Sequence, residues 1–502
     1  MKLKRWALAP LSGALAALGF PGLGLDFLVW FALIPLFFAL EGRSYKENFS
    51  LGLLGGVAFF GVLLHWLWTL REWTGLAILP LYLLLILYLG LYWGAFGLGY
   101  GFLKRRLGPL GLGLAAPAIW ALLEFARASG RFGFAWGDLG YALYRRTELI
   151  QLASITGALG LSFMIVWINY LLFQALKRRD WRPLGWAILI FALLFSFGAA
   201  TLRREPEGRE LRLALIQPNL PQKRKTDPRN LEDFLRLYLA LLDRVEQAEV
   251  DLVVLPETIL PAYLLQQPEY LEPFSRFARE SGLYLLFGTL DYRQGRFYNT
   301  AALLSPQGRV LAQYDKVQLV PFSPEYLPLR AQLERLGFAW LIREVAPADL
   351  TPGPGFFPLQ SPLGRIATPI CFESSFSHIS RGFVRNGAEL LITLTNDAWF
   401  KRSPALAQHF SFGVFRAVET RRYFVQAANT GISGIISPQG RIIASSGLER
   451  EEVLYGTARL LAGQTFYTRF GDWLIYLCLA YLGVALITTT VRATGTRLKG
   501  SN

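Results

Sequence analysis

The sequence predicts an α-helical transmembrane bundle of about eight helices joined to one extramembrane α/β domain. The 502 residues are 53% hydrophobic with a mean hydropathy of +0.33, which is too apolar for a water-soluble chain of this length. Eight apolar segments approach the roughly 20 residues that a helix needs to span a bilayer. Residues 203–470 instead alternate short apolar runs with amphipathic stretches, which is typical of an α/β domain.

Residues 1–202 form the predicted N-terminal bundle of about seven helices, and residues 471–502 form a C-terminal transmembrane helix and a cytoplasmic tail. The first apolar segment also resembles a signal peptide. Because six more apolar segments follow it directly, an uncleaved helix is favoured. The second segment is short and fits a tilted or partly re-entrant helix. The eight segments lie at approximately 6–22, 27–41, 49–70, 76–102, 109–127, 148–176, 184–202 and 472–491.

The lysine and arginine counts of the loops predict the orientation in the membrane. One set of alternate loops and both termini carry 15 of these residues, and the other set carries five. Because cytoplasmic segments are enriched in basic residues, both termini are placed in the cytoplasm. The fifth loop opposes this pattern, since it holds four of those five. Seven helices then place residues 203–470 outside the cytoplasm.

The formal net charge of +15 does not indicate a nucleic-acid partner. Much of the excess lies in short loops beside apolar segments, and the basic clusters lack aromatic side chains placed for base stacking.

The chain has two cysteines. Cys371 lies in a polar, strand-rich region and Cys478 in the C-terminal apolar segment, so we expect no disulfide between them. His65, His378 and His409 are too scattered to give metal-ligand spacing, so no metal is expected.

Short apolar runs predict buried strands at 211–219, 251–257, 283–292 and 389–396. Helical spacing appears at 230–248 and 404–423. A related hexapeptide recurs as SPQGRV at 305–310, SPLGRI at 361–366 and SPQGRI at 437–442. Proline at the second position and glycine at the fourth suit a type I turn closed by a left-handed residue, which makes a hairpin. The middle domain is therefore predicted to be an α/β sandwich with substantial antiparallel sheet.

Three segments place reactive side chains next to predicted strands: Glu257 in LVVLPET, Lys316 in QYDKVQLVPF and Cys371 in IATPICFESS. A thiol attacks as the thiolate, and a neighbouring cation such as Lys316 lowers its pKa. Glu257 can accept the thiol proton, and Lys316 with the backbone N–H after Cys371 can hold an oxyanion. Taken singly, the cysteine also fits a small core residue, the Pro-Glu pair a solvated turn, and the lysine a hairpin end.

The segments LVVLPET, YDKVQLVPF and PICFES resemble, in order and spacing, the Glu, Lys and Cys motifs of the carbon–nitrogen hydrolase (nitrilase) superfamily. With the flanking membrane segments, nearly the whole chain resembles the apolipoprotein N-acyltransferase family. The further matching segments are GFAWGDLGY at 133–141, IQPNLPQKRK at 216–225, NDAWF at 396–400 and RAVETRRYFVQAANTGISGIISPQGR at 416–441.

The resemblance implies a nitrilase-like αββα sandwich outside a bacterial cytoplasmic (inner) membrane, with Glu257, Lys316 and Cys371 as the catalytic triad. It implies acyl transfer from a membrane phospholipid, through a Cys371 thioester, to the N-terminal amine of a diacylated apolipoprotein. Both partners are membrane lipids or lipid-anchored, no cofactor is needed, and we expect a monomer.

The resemblance also implies roles for residues around the triad. Phe372 and Glu373, which follow the nucleophile, and Glu325, which corresponds to a fourth acid, are candidates for forming the oxyanion site or supporting the triad. The segment PFSPEYLP holds one residue more than the usual Pro-Phe-Gly-Glu, so Glu325 is displaced by one position. A tryptophan common in the QPN loop is replaced by Thr226.

Three aromatic residues are candidates for contact with substrate. Phe338 and Trp340 lie in the long insertion 326–343, which predicts a lid that dips into lipid, with core packing as the alternative. Trp399 in NDAWF is the third candidate.

Two rival functions remain at this stage. A membrane-tethered amidase or nitrilase would use the same triad but needs neither seven helices nor an apolar lid. A transporter with an appended domain is disfavoured because the apolar segments carry few charges and show no paired broken helices.

Overall fold

The computed structural model describes residues 2–130, 132–203, 206–225, 227–245, 250–320, 335, 337 and 350–499. The chain divides into two compact units. The first comprises Met1–His65, Leu79–Leu202 and Phe470–Asn502, and the second comprises Trp66–Ile78 and Arg203–Arg469.

The first unit is helical. Within the described residues, four helices are long and apolar enough to cross a bilayer, namely Ile78–Lys104, Pro109–Ala128, Ala158–Arg178 and Arg182–Thr201. A fifth span results if Tyr45–Leu63 and His65–Thr74 count as one, and Asp26–Ala39 and Trp473–Thr488 are shorter apolar helices. These helices support a membrane bundle in the N-terminal region, while the count of about eight stays a prediction. The remaining helices of this unit are Lys2–Leu18, Ile34–Ala39, Thr147–Ile150, Ala153–Thr156 and Trp473–Lys499.

The second unit is built on two six-stranded mixed sheets. The first sheet has the order β12-β1-β2-β3-β4-β5, and the second has the order β11-β10-β9-β8-β7-β6. The strands are β1 Arg209–Gln217, β2 Leu252–Val254, β3 Tyr284–Arg293, β4 Arg296–Leu304, β5 Val310–Asp315, β6 Leu359–Ser361, β7 Gly364–Ala367, β8 Leu390–Thr395, β9 Phe424–Ala428, β10 Gly434–Ile436, β11 Ile442–Ser445 and β12 Glu452–Leu460.

The two sheets pack against each other, because β1 contacts β9 and β12 contacts both β8 and β10. Helices Leu231–Asp243 and Pro268–Ser281 cover the outer face of the first sheet with an apolar core. Helices Ser377–Arg385 and Pro404–Thr420 contact the second sheet. The predicted two-sheet α/β sandwich is confirmed. The short helices of this unit are Arg71–Thr74, Gln222–Lys225 and Phe466–Phe470.

The three repeated hexapeptides each connect two antiparallel strands, as the turn chemistry predicts. They join β4 to β5, β6 to β7 and β10 to β11. Their glycines have positive φ, at 70° for Gly308, 122° for Gly364 and 82° for Gly440. A side chain at these positions would be strained, which is why glycine ends each turn.

Residues Trp66–Ile78 belong to the second unit, although the predicted spans 49–70 and 76–102 cover most of them. The Trp66 indole donates a hydrogen bond to Gln408 Oε1 (3.0 Å), and its ring contacts Phe400 at 4.7 Å. The ring centroids of Trp73 and Trp399 lie 5.1 Å apart. An apolar aromatic segment packs as readily on a protein surface as in lipid, so composition could not separate the two cases.

Candidate active site

Strand ends from both sheets carry the predicted catalytic residues. Glu257 follows β2, Lys316 directly follows β5, and Cys371 opens the 3₁₀ turn Cys371–Ser375 after β7. Glu257 and Lys316 are 7% and 4% exposed, while Cys371 is half-buried. Each of the three side chains interacts electrostatically with the other two. The structure therefore brings the predicted triad together.

Glu257 and Lys316 form a buried ion pair. Lys316 Nζ lies 3.3 Å from Glu257 Oε1, and Asn299 Nδ2 donates to the same oxygen at 2.7 Å. Burial alone would raise the pKa of Glu257, but Lys316, Asn299 and Lys225 outweigh it and hold the pKa below its usual value. Glu257 is therefore ionised at neutral pH and ready to accept a proton.

Gly288 of β3 allows the backbone to approach Glu257 closely. A Cβ on Gly288 would lie 2.7 Å from Glu257 Cα. The Gly288 N–H donates to the Pro256 carbonyl (3.1 Å), and the Ile259 N–H donates to the Gly288 carbonyl (2.9 Å). These bonds hold the loop after β2, in which Thr258 has a φ of 48°. The carboxylate is thus presented by a fixed backbone.

Lys225 is a second buried lysine that the sequence analysis did not single out. It ends the short helix Gln222–Lys225, is 3% exposed, and donates from Nζ to the Glu257 carbonyl oxygen at 2.7 Å. Burial lowers the pKa of Lys225 to about 7, against the opposing charges of Glu257 and Cys371. The only signal in the sequence was its position in the segment IQPNLPQKRK.

Glu373 joins the loops of Lys316 and Cys371. Its Oε1 accepts the N–H groups of Val317 (2.8 Å) and Gln318 (2.9 Å), and its Oε2 accepts the N–H of Ile370 (2.7 Å). The Tyr314 hydroxyl lies 2.9 Å and 3.1 Å from the two oxygens. Burial raises the pKa of Glu373, and the backbone amides counteract this. Both oxygens of the Glu373 carboxyl group thus accept backbone N–H groups from the two loops that it connects.

Cys371 has a left-handed backbone, with φ at 53°. Burial and Glu257 raise the pKa of its thiol to about 12, and Lys316 acts in the opposite direction. The resting thiol is therefore protonated at neutral pH. When its proton passes to Glu257, the negative charge that opposes the thiolate disappears while Lys316 keeps its charge. Thiolate formation is thus coupled to protonation of Glu257.

Behind Cys371 lies a buried histidine that the sequence analysis noted only for its lack of metal spacing. His409 Nδ1 is 2.8 Å from Asp397 Oδ1, and its Nε2 is 3.1 Å from the Cys371 carbonyl and 3.0 Å from Ser374 Oγ. One ligand-type atom each of Cys371, Asp397 and His409 lies within 4.8 Å of the others. Because both ring nitrogens are engaged in hydrogen bonds, this cluster is a hydrogen-bonded network.

Of the remaining predicted site residues, the structure describes Phe372 and Trp399. Phe372 is buried beside the nucleophile, with its ring 5.0 Å from that of Phe376. Trp399 lies on the loop after β8, and its carbonyl accepts the Thr69 hydroxyl at 3.3 Å. Glu325, Phe338 and Trp340 lie outside the described residues, so the fourth-acid and lid interpretations stay predictions.

This arrangement fits nucleophilic acyl chemistry. Cys371 is placed to act as a nucleophile, Glu257 to accept a proton, and Lys316 to supply a buried positive charge beside the thiol. Such a site can form a thioester and pass the acyl group to a second nucleophile.

Two family models match the chain. One, described as carbon-nitrogen hydrolase, matches residues 212–464, and the other, described as apolipoprotein N-acyltransferase N-terminal domain, matches residues 12–171. Three relatives are named apolipoprotein N-acyltransferase. The protein of Geobacter metallireducens is 36% identical, covering 96% of this chain and 94% of the relative. That of Thermotoga maritima is 34% identical (97% and 94%), and that of Gloeobacter violaceus is 31% identical (94% and 94%).

Proposed function

This chain belongs to the apolipoprotein N-acyltransferase family, and we propose that it transfers an acyl chain from a membrane phospholipid to the N-terminal amine of a diacylglyceryl-cysteine lipoprotein. The observation that supports this most directly is the buried Glu257–Lys316 pair beside Cys371, in a chain that also carries apolar helices. Both substrates are held in the bilayer, which is why the site belongs to a membrane protein.

In the first half-reaction, Cys371 Sγ attacks the ester carbonyl carbon of the phospholipid while its proton passes to Glu257. Lys316 and the backbone N–H after Cys371 hold the oxyanion. The carbon–oxygen bond then breaks, and the leaving lysophospholipid takes the proton from Glu257. The product is an acyl thioester on Cys371.

In the second half-reaction, the neutral α-amine of the lipoprotein attacks the thioester carbonyl. Glu257 accepts the amine proton, the carbon–sulfur bond breaks, and the thiolate recovers that proton. An amide forms and the enzyme returns to its starting state. Glu257 thus serves both half-reactions, and the kinetics are expected to be ping-pong.

The test is the intact mass of the full-length enzyme after incubation with phospholipid alone. We expect a gain of one acyl chain, removable by hydroxylamine, and discharge on addition of a diacylated lipopeptide with formation of triacylated peptide. Cys371→Ala should lose the adduct, whereas Cys478→Ala should keep it, because Cys478 lies in the C-terminal helix of the first unit. An adduct retained by Cys371→Ala would refute the assignment.

The same experiment separates this function from a membrane-tethered carbon–nitrogen hydrolase. A hydrolase would release fatty acid from phospholipid, or cleave simple amides, at similar rates with and without lipopeptide. It would also accumulate no acyl-enzyme.

We further propose that the second unit lies on the extracytoplasmic side of a bacterial cytoplasmic membrane. The support is the basic-residue count of the loops. Reporter fusions near Glu210 and after Arg497 test this orientation, and a cytoplasmic signal at the first position would contradict it.

A further inference from the structure

The hydrogen-bonded network behind Cys371 surrounds both ring nitrogens of His409 with oxygen atoms. The ring is 1% exposed and lies on the helix Pro404–Thr420, while Asp397 follows β8. A carboxylate oxygen and a carbonyl oxygen can only accept hydrogen bonds. Nδ1 therefore carries a proton towards Asp397. Nε2 faces both the Cys371 carbonyl (3.1 Å) and the Ser374 hydroxyl oxygen (3.0 Å), and that hydroxyl donates to the Cys371 carbonyl at 2.9 Å. With the hydroxyl proton directed to the carbonyl, Nε2 can only donate, and a ring protonated on both nitrogens is an imidazolium.

The surrounding groups support this charge state. Burial by itself would lower the pKa of His409, but Asp397, the Cys371 carbonyl and the more distant Glu257 together raise it above its usual value. Asp397 Oδ1 also accepts the Thr395 hydroxyl at 3.0 Å, which fixes the carboxylate. The ring thus faces Asp397, the Cys371 carbonyl and the Ser374 hydroxyl, with Glu257 further away.

The charged ring lies close to the reacting sulfur. A ring nitrogen of His409 is within 4.8 Å of Cys371 Sγ. The ring also forms a hydrogen bond with the carbonyl of Cys371, whose backbone is left-handed. That conformation costs free energy for a residue with a side chain. The Ser374 hydroxyl donates to the same carbonyl at 2.9 Å. These bonds hold the Cys371 backbone in place.

We propose that His409 is a positioning residue for the nucleophile: Asp397 holds it as an imidazolium, its Nε2–H fixes the Cys371 carbonyl, and its charge stabilises the Cys371 thiolate alongside Lys316. The thiolate forms when the thiol attacks the ester and again when the amide product leaves, so both half-reactions depend on this charge. The proposal rests on Cys371 being the nucleophile.

The charge state can be read without any activity measurement. The chain has only three histidines, so a full-length sample labelled with ¹⁵N-histidine gives few imidazole signals, and His409→Asn assigns one set by its loss. At pH 7.5 we expect both His409 nitrogens at the imidazolium shift. His378 serves as the internal neutral reference, because burial lowers its pKa to about 4. A neutral His409 ring with one unprotonated nitrogen would overturn the proposal.

The function of the charge is tested by two substitutions. The His409→Gln amide can still donate to the Cys371 carbonyl but carries no charge. It should slow thioester formation at saturating phospholipid by ~10²-fold, as for loss of one electrostatic donor, with little change in the half-saturating phospholipid concentration. Asp397→Asn should convert the ring to the neutral NMR signature and slow thioester formation less than His409→Gln does, because it also removes the Asp397 charge that raises the pKa of the Cys371 thiol.

A wild-type rate in folded His409→Gln would show that the charge has no role and would overturn that part of the proposal. If either variant fails to fold, the ¹⁵N spectrum of the wild-type protein still decides the charge state. Failure of the proposed function would appear differently, as an acyl adduct in Cys371→Ala or no adduct in the wild type.

Discussion

Replacing Glu373 by glutamine should loosen the connection between the Lys316 and Cys371 loops. The carboxylate accepts three backbone N–H groups as well as the Tyr314 hydroxyl. A glutamine keeps one accepting oxygen and turns the other into an N–H₂ donor. If the glutamine oxygen accepts the N–H groups of Val317 and Gln318, its new N–H₂ group takes the place of Oε2, which lies 2.7 Å from the Ile370 nitrogen. Two donors would then face each other, and the Ile370 N–H would lose its acceptor.

The cost follows from these contacts. An orphaned buried N–H costs about 1–3 kcal/mol, and each of the two bonds that lose a charged acceptor weakens by roughly 1 kcal/mol. The total of about 3–5 kcal/mol is a large part of a typical stability of about 5–15 kcal/mol. For a domain of this size it corresponds to a fall in melting temperature of roughly 6–20 °C.

The assay combines thermal unfolding, followed by tryptophan fluorescence in detergent, with the rate of thioester formation measured by intact mass. Tyr314→Phe is the matched control, because it removes one donor and leaves the carboxylate with its three amides. It should cost about 0.5–1.5 kcal/mol. Equal losses in the two variants, or a Glu373→Gln protein that melts and reacts like the wild type, would refute the reasoning.

Three further substitutions have defined outcomes. Lys316→Ala should slow thioester formation by ~10²–10³-fold through loss of the oxyanion charge, measured by single-turnover intact mass. Lys225→Met should lower the rate by displacing Glu257, yet raise the free energy of unfolding at neutral pH. The stability gain should shrink from pH 7 towards 10.5, because in that window the unfolded Lys225 binds a proton that the folded one does not. A gain that is constant with pH would contradict this. Glu72→Gln should change the melting temperature by less than about 2 °C, since its pairs with Lys223 and Lys401 are exposed.

The sequence was a good guide where a local pattern decides the structure. The three hairpins follow from proline and glycine at fixed turn positions, and the buried strands follow from short apolar runs. Glu257, Lys316 and Cys371 were each predicted to lie next to a strand, but that position alone also fitted structural roles, and the triad was predicted from the resemblance of its three motifs.

Partners brought together only by the fold could not be predicted. Asn299, Lys225 and His409 lie 42, 32 and 38 residues from the active-site residues that they contact. Nothing in their local sequence distinguishes them from a strand polar residue, a surface lysine or a core histidine. The membrane region was harder for a different reason. Hydropathy marks apolar surface but does not say whether lipid or protein covers it, as the assignment of Trp66–Ile78 to the second unit illustrates.

That assignment matters for anyone who wishes to produce the catalytic half as a secreted, detergent-free fragment. A fragment starting at residue 203 would omit the indole that bonds Gln408, the residue next to His409, and would uncover the rings of Phe400 and Trp399 to water. A fragment design should therefore graft residues 66–78 back through a flexible linker, or replace those exposed rings with polar side chains.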